Sequence, residues 1–135
     1  MDATTTSAFA MGKAIGDILN GEPGIEFAAL VGIRAEGASH PDSDWDIALQ
    51  WDAKLDWMTV LGKTETLRMK LSKAIGVSLD DIDLIELRHA NLAMRASVAE
   101  AGLPLKGEDT LAWAHFLKRT WRELEDFFWE QSHAA

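Results

Sequence analysis

Two stretches of the chain carry opposite hydrophobic patterns, and together they outline a sheet. Ile25-Glu26-Phe27-Ala28-Ala29-Leu30-Val31 is almost continuously apolar, as in a strand buried on both faces. Trp45, Ile47, Leu49 and Trp51 instead alternate with Asp46, Ala48 and Gln50, which predicts a strand with one apolar face and a second face that begins with the pair Asp44 and Asp46. Helical spacing of Phe9, Ile15, Ile18 and Leu19 predicts an amphipathic helix from Ser7 to Leu19, ended by the turn Asn20-Gly21-Glu22-Pro23-Gly24. Asp56 is placed to cap a helix from Trp57 to Ala74 that Gly76 ends, and a further strand follows from Asp81 to Leu87. Asn91 to Ala101 reads as another helix. Leu103 to Gly107 reads as a short edge segment, because Pro104 disfavours a central strand.

The last helix is predicted from about 109 to 131, with Trp113, Leu117, Trp121, Leu124 and Phe128 forming a stripe that must be buried. For Trp113 to Leu124 the expected cover is the chain's own sheet. Phe116, Phe127 and Trp129 widen the apolar surface, and for Phe127 to Trp129 a contact with another chain is the expectation. The whole pattern is α/β (α+β): a three- or four-stranded mixed sheet covered by helices.

At 135 residues and 47% apolar composition the chain suits a single domain over 1–135, with no linker, repeat or low-complexity tract. No apolar run is long enough to span a bilayer, and the polar start Asp2 to Ser7 is unlike a signal peptide, so a cytoplasmic location is expected. The absence of cysteine excludes disulfides and thiolate metal sites. The absence of tyrosine excludes modification of this chain on tyrosine. Thirteen basic against 22 acidic residues give a net charge of -9, which argues against a broad nucleic-acid surface and for a basic protein partner.

Candidate chemistry lies between the two strands. Gly32 follows Val31 directly, where a residue without Cβ permits a sharp turn and a close approach of backbone to a ligand. Arg34 to Gly37 reads as one helical turn, and the free N-H groups at its start suit an anion, with Arg34 either adding charge or lying on the surface. Two carboxylates about 4 Å apart repel by roughly 4 kcal/mol at an effective dielectric near 20, so a hard divalent ion between Asp44 and Asp46 is a natural resolution. An Asp-x-Asp pair on its own reads better as a solvated acidic loop leading into a strand, since such pairs are common in acidic proteins. The histidines have no zinc-like spacing, His40 lies in the motif loop, and Glu36 and Glu86 read as structural or solvated.

The combined spacing, Gly32-Ile33, ten intervening residues and then Asp44-x-Asp46, resembles the signature of the DNA polymerase β nucleotidyltransferase superfamily, which is normally Gly-Ser before Asp-x-Asp. The resemblance covers roughly residues 25 to 110, and the short length points to the minimal nucleotidyltransferase (MNT) antitoxins paired with HEPN toxins. It implies a third carboxylate on a later strand, placed at Asp83 with Asp81 as runner-up. It further implies Mg2+ held by Asp44, Asp46 and Asp83, and a nucleoside triphosphate such as ATP bordered by Gly32, Ile33, Arg34 and Ser43. The activity implied is transfer of AMP, or another nucleoside monophosphate, to a hydroxyl of a cognate HEPN ribonuclease toxin, expected to be that of a tyrosine, within a hetero-oligomer. The alternative is a weakened enzyme that neutralises its toxin by binding alone, and a third possibility is transfer to an aminoglycoside-type drug. Ile33 stands where the family has serine. The hydrogen bond so removed from a charged phosphate is worth about 1.5 to 3 kcal/mol.

Overall fold

The structure, a computed structural model, describes residues 3–35, 37 and 43–134. The side chains of Phe9 and Ile33, and all of Glu36, His40 and Asp42, lie outside the described residues. The elements run α1 (Ala3–Asn20), β1 (Ile25–Val31), α2 (Gly32–Ala35), β2 (Trp45–Trp51), α3 (Trp57–Ile75), β3 (Ile82–Glu86), α4 (Leu92–Ala101), β4 (Leu103–Lys106) and α5 (Leu111–His133). Single 3-10 turns, Leu79–Asp81 and Leu87–His89, bracket β3 and shorten it relative to the expected Asp81 to Leu87. The helical turn after β1 starts at Gly32, two residues before the expected position, and α1 starts at Ala3, ahead of Ser7.

The four strands form one mixed sheet in the order β3-β2-β1-β4. β1 is antiparallel to both β2 and β4, whereas β2 and β3 run parallel and are joined through α3. Local chemistry sets the ends of α3: the Asp56 carboxylate accepts from the Thr59 N-H at 2.7 Å, and Gly76 takes a left-handed φ of 70° while its N-H closes on the Ser72 carbonyl. β4 is an edge strand, as Pro104 requires.

Both faces of the sheet are covered. Ile15 and Leu19 of α1 and Leu67, Leu71 and Ile75 of α3 pack with Trp45, Ile47, Leu49, Trp51 and Ile82 on one side. On the other, Val98 of α4 and Phe116 of α5 pack with Phe27, Ala29, Val31 and Ala48. This second layer corrects the one-sided reading of β2: Ala48 and Gln50, expected on a polar face, are buried beneath α4 and α5, and only Asp46 on that line is partly exposed. β2 is thus an interior strand between β1 and β3, covered on both faces.

The stripe on α5 also needs correction. Phe116 and Thr120 are its fully buried residues, Trp113 and Leu117 are half-buried, and Trp121 and Phe128 of the expected stripe are exposed. Phe27 receives the helix, with Trp113 edge-on at a centroid distance of 5.1 Å and Phe116 tilted at 5.3 Å. Among the described residues no helix is long and apolar enough to cross a membrane.

Candidate active site

Asp46 and Asp83 are register partners across the parallel β2–β3 pair, so their Cα atoms are held about 4.8 Å apart by the ladder itself. Both belong to the strand line that faces α4 and α5, while Ile82 and Leu84 pack on the opposite layer. Asp44 sits just before β2 and is exposed. Asp81, the runner-up for the third carboxylate, lies in the 3-10 turn ahead of β3, where no strand register ties it to Asp46.

The carboxylate of Asp46 is held above the ordinary aspartate range, first by burial and then by the negative charges of Asp83 and Asp44. This places three acidic groups close enough to oppose one another. Their oxygen donors suit a hard divalent cation, and the unrelieved repulsion on Asp46 is what such a cation would remove. Among the described residues, however, no group of three or more His, Cys, Asp or Glu side chains converges tightly enough to form a finished metal cage.

Gly32 closes the other side. Its φ of 71° falls in the left-handed region, and a Cβ built there would meet the Asp46 Oδ2 at 2.5 Å. The end of β1 can therefore turn against the carboxylate only because position 32 has no side chain.

Arg34 shapes the entrance to β2. Its Nη2 donates to the Ser43 carbonyl at 2.7 Å, its Nε donates to the Ser43 and Asp44 carbonyls at 3.2 Å, and its guanidinium lies 4.0 Å above the Trp45 ring. Burial lowers the Arg34 pKa and Asp44 offsets this in part. Ser43 itself is buried. Of the expected site residues, Gly32, Asp46 and Asp83 converge directly, while Arg34 and Ser43 enter through the backbone that presents Asp44.

An open cleft of about 490 Å³ adjoins the carboxylates, lined by Asp44 and Asp83 together with Glu65, Arg68 and Asp80. Arg68 donates to the Ile82 carbonyl and lies 3.5 Å from Glu65, so it ties α3 to the residue immediately before Asp83. Sequence reasoning did not single out Arg68. It looks like any base on an amphipathic helix, and no local spacing connects it to a strand fourteen residues later.

At the opposite end of the sheet, Glu86 accepts from the Arg88 N-H at 2.9 Å and the Trp51 N-H at 3.2 Å, while Arg88 reaches Glu26 at 3.0 Å. Burial raises the Glu86 pKa. These contacts make Glu86 a strand-end fastener, in agreement with its structural reading.

Residues 13–111 match the family described as Polymerase beta, Nucleotidyltransferase. No curated protein matches the chain. Among solved structures, a toxin–antitoxin crystal structure with AMP-PNP superimposes with a TM-score of 0.69 at 26% identity, covering 90% of this chain and 92% of that one. A mutant of the MntA–HpeT toxin–antitoxin gives 0.67 at 26% identity, covering 89% and 90%. The structure of a tri-AMPylated Shewanella oneidensis HEPN toxin in complex with MNT antitoxin gives 0.66 at 22% identity, covering 93% and 92%, a likeness of fold. Because the matched stretch contains the glycine turn and all three carboxylates on one shared architecture, the chain belongs to the polymerase β nucleotidyltransferase family.

Proposed function

We propose that this chain is the antitoxin of a HEPN-type toxin and transfers a nucleoside monophosphate, AMP when ATP is the donor, to a tyrosine hydroxyl of that toxin. The observation that carries this reading is the in-register pair Asp46 and Asp83, with Asp44 adding to the charge on Asp46 and Gly32 closing against it. The likeness to toxin–antitoxin structures, one of them with AMP-PNP, supports the choice of partner and donor.

In the proposed reaction the acceptor oxygen forms a bond to the α-phosphorus as the bond to the β-phosphate bridging oxygen breaks. Pyrophosphate leaves with that electron pair, and the hydroxyl proton passes to the Asp83 carboxylate. Asp44, Asp46 and Asp83 would hold Mg2+, which when bound supplies charge neutralisation at the phosphates. Gly32, Ile33 and Arg34 border the phosphates from the β1 side, and Ser43 supports the strand entrance. Arg34 keeps Asp44 at the mouth of the site by gripping its carbonyl. Arg68 steadies the start of β3 through Ile82.

The test is the intact mass of the cognate toxin after incubation with this protein, Mg2+ and ATP, beside the Asp44→Asn/Asp46→Asn double variant. A gain of AMP units that vanishes with the double variant is expected, and an unchanged toxin mass with wild type sinks the proposal. Since this chain has no tyrosine, any adenylylated tyrosine in the mixture belongs to the partner.

A second reading, neutralisation by binding alone, is favoured by Ile33 in place of the family serine and by the exposed aromatic end of α5. The same double variant separates the two: a pure binder still protects cells expressing the toxin, and a transferase does not.

A further inference from the structure

α5 is longer than the helix it packs beside. It runs for 23 residues, about 34 Å at roughly 1.5 Å per residue, whereas α4 has 10. Arg95 in the first turns of α4 pairs with Glu123, so beyond Glu123 the helix passes the start of α4 and loses its neighbour. The apolar face nevertheless continues. Phe127 follows Phe116 and Thr120 on the buried line, and Phe128 extends the line Leu117, Trp121, Leu124 at spacings of four, three and four. In this distal half the face is open: Trp121 is 38% exposed, Phe127 46% and Phe128 62%. From Glu123 to the C-terminus the chain carries Glu123, Glu125, Asp126 and Glu130 and no lysine or arginine.

We propose that the distal half of α5 is a docking helix that lies in an apolar groove rimmed by lysine and arginine on the HEPN-type toxin. This rests on the reading of the chain as an antitoxin. The helix offers spaced anchors in Trp121, Leu124 and Phe128 with Phe127 alongside, which is the pattern by which an amphipathic helix enters a groove. Beyond Arg122 its flanks are acidic only, so the rim that meets Phe127 and Phe128 is basic, and the overall charge of -9 steers in the same direction. A second copy of the chain paired in parallel fits less well, because it brings two such acidic segments together. Trp129 is turned to the other flank, where it stacks on His133 at 4.0 Å, and takes no part.

The experiment is calorimetric titration of the cognate HEPN-type toxin into four full-length forms without nucleotide. These are wild type, Trp121→Ala/Phe128→Ala, the charge reversal Glu125→Lys/Asp126→Lys, and Trp57→Ala/Leu61→Ala on the exposed start of α3 as control. The aromatic double variant is expected to bind about 30-fold more weakly or worse, while its melting temperature stays well above that of the titration. The charge reversal is expected to weaken binding and flatten its salt dependence, and the α3 variant to match wild type. Wild-type affinity in the aromatic variant overturns the proposal, as does a toxin that does not bind the wild type. So does a wild-type homodimer in sedimentation that the aromatic variant alone dissociates. A complex that forms through α5 with no gain in toxin mass refutes the transfer reading and leaves the docking helix standing. Transfer with undiminished affinity in the aromatic variant does the reverse.

Discussion

Gly32 and Asp46 occupy space that admits only one of their side chains: a Cβ at position 32 would sit 2.5 Å from the Asp46 Oδ2. The last residue of β1, Val31, is the cross-strand partner of Asp46, so the turn begins directly beside the carboxylate. Gly32→Ala therefore meets two penalties, the left-handed φ of 71° and displacement of Asp46. The expected outcome is a loss of about 1–3 kcal/mol in denaturant unfolding and loss of transfer to the toxin. Unchanged stability and transfer would refute the close approach.

Asp46 also sets a pH dependence. Its folded pKa is raised above the unfolded value, so its contribution to stability is fully present below the unfolded aspartate pKa and is lost as pH rises through the folded one. Above that window the ionised group is a burden in the absence of a divalent cation. Asp46→Asn is expected to raise the melting temperature at neutral pH in EDTA while removing transfer. The gain in melting temperature should shrink as pH falls toward the unfolded pKa. Thermal scans across pH with and without EDTA check this, and a lower melting temperature for the variant at neutral pH would contradict it.

Arg34→Lys separates two roles for the same charge. A lysine keeps the positive charge but loses the forked grip on the Ser43 and Asp44 carbonyls and the broad contact with Trp45. With Arg34 acting through the backbone of Asp44, kcat/KM for transfer falls by about tenfold or more, a change of roughly 1.4 kcal/mol. If kcat/KM is retained, charge alone is what matters at this position.

Ile33→Ser restores the hydroxyl of the family signature. Recovery of one hydrogen bond to phosphate, about 1.5 to 3 kcal/mol, corresponds to roughly 10- to 150-fold tighter binding of a non-hydrolysable ATP analogue. Direct titration reads this, and an unchanged Kd would show that the nucleotide does not lie against residue 33.

Phe116→Ala tests where the last helix is anchored. Phe116 is 3% exposed and packs against Phe27 and Trp113, so its truncation is expected to cost about 3–5 kcal/mol in chemical denaturation. Trp121→Ala, at a position that keeps 38% of its surface exposed, is expected to cost less. Equal losses would mean that the predicted stripe, rather than Phe116, seats the helix.

The contrast between these two positions shows what could be read from the chain. Spacing alone identified α5 as amphipathic, but a line of aromatics does not reveal how far along it the supporting layer extends. Here α4 is short, so burial centres on Phe116 and Thr120 and the distal stripe is left open. β2 failed for the same reason in reverse: Ala48 and Gln50 look indifferent until a second helical layer covers them. Elements whose signals are local were legible, including β1 from Ile25 to Val31 and the capping of α3 by Asp56 and Gly76. Gly32 and the carboxylates were legible as a spacing. Arg68 was not, because its link to Ile82 exists only after α3 folds back along β3.

The parallel pairing of β2 with β3 has a further consequence for how such a site tolerates change. Separation of Asp46 from Asp83 is inherited from hydrogen-bond repeat between neighbouring strands, and the crossover through α3 only has to return the chain to the right edge. A one-residue slip of β3 would turn the exposed Asp83 into the opposite apolar layer and bring Ile82 or Leu84 out of that layer to its place, so errors are rejected as misfolding rather than accumulated as drift. Surface loops can then be rewritten freely around an acidic pair whose spacing behaves as a property of the backbone.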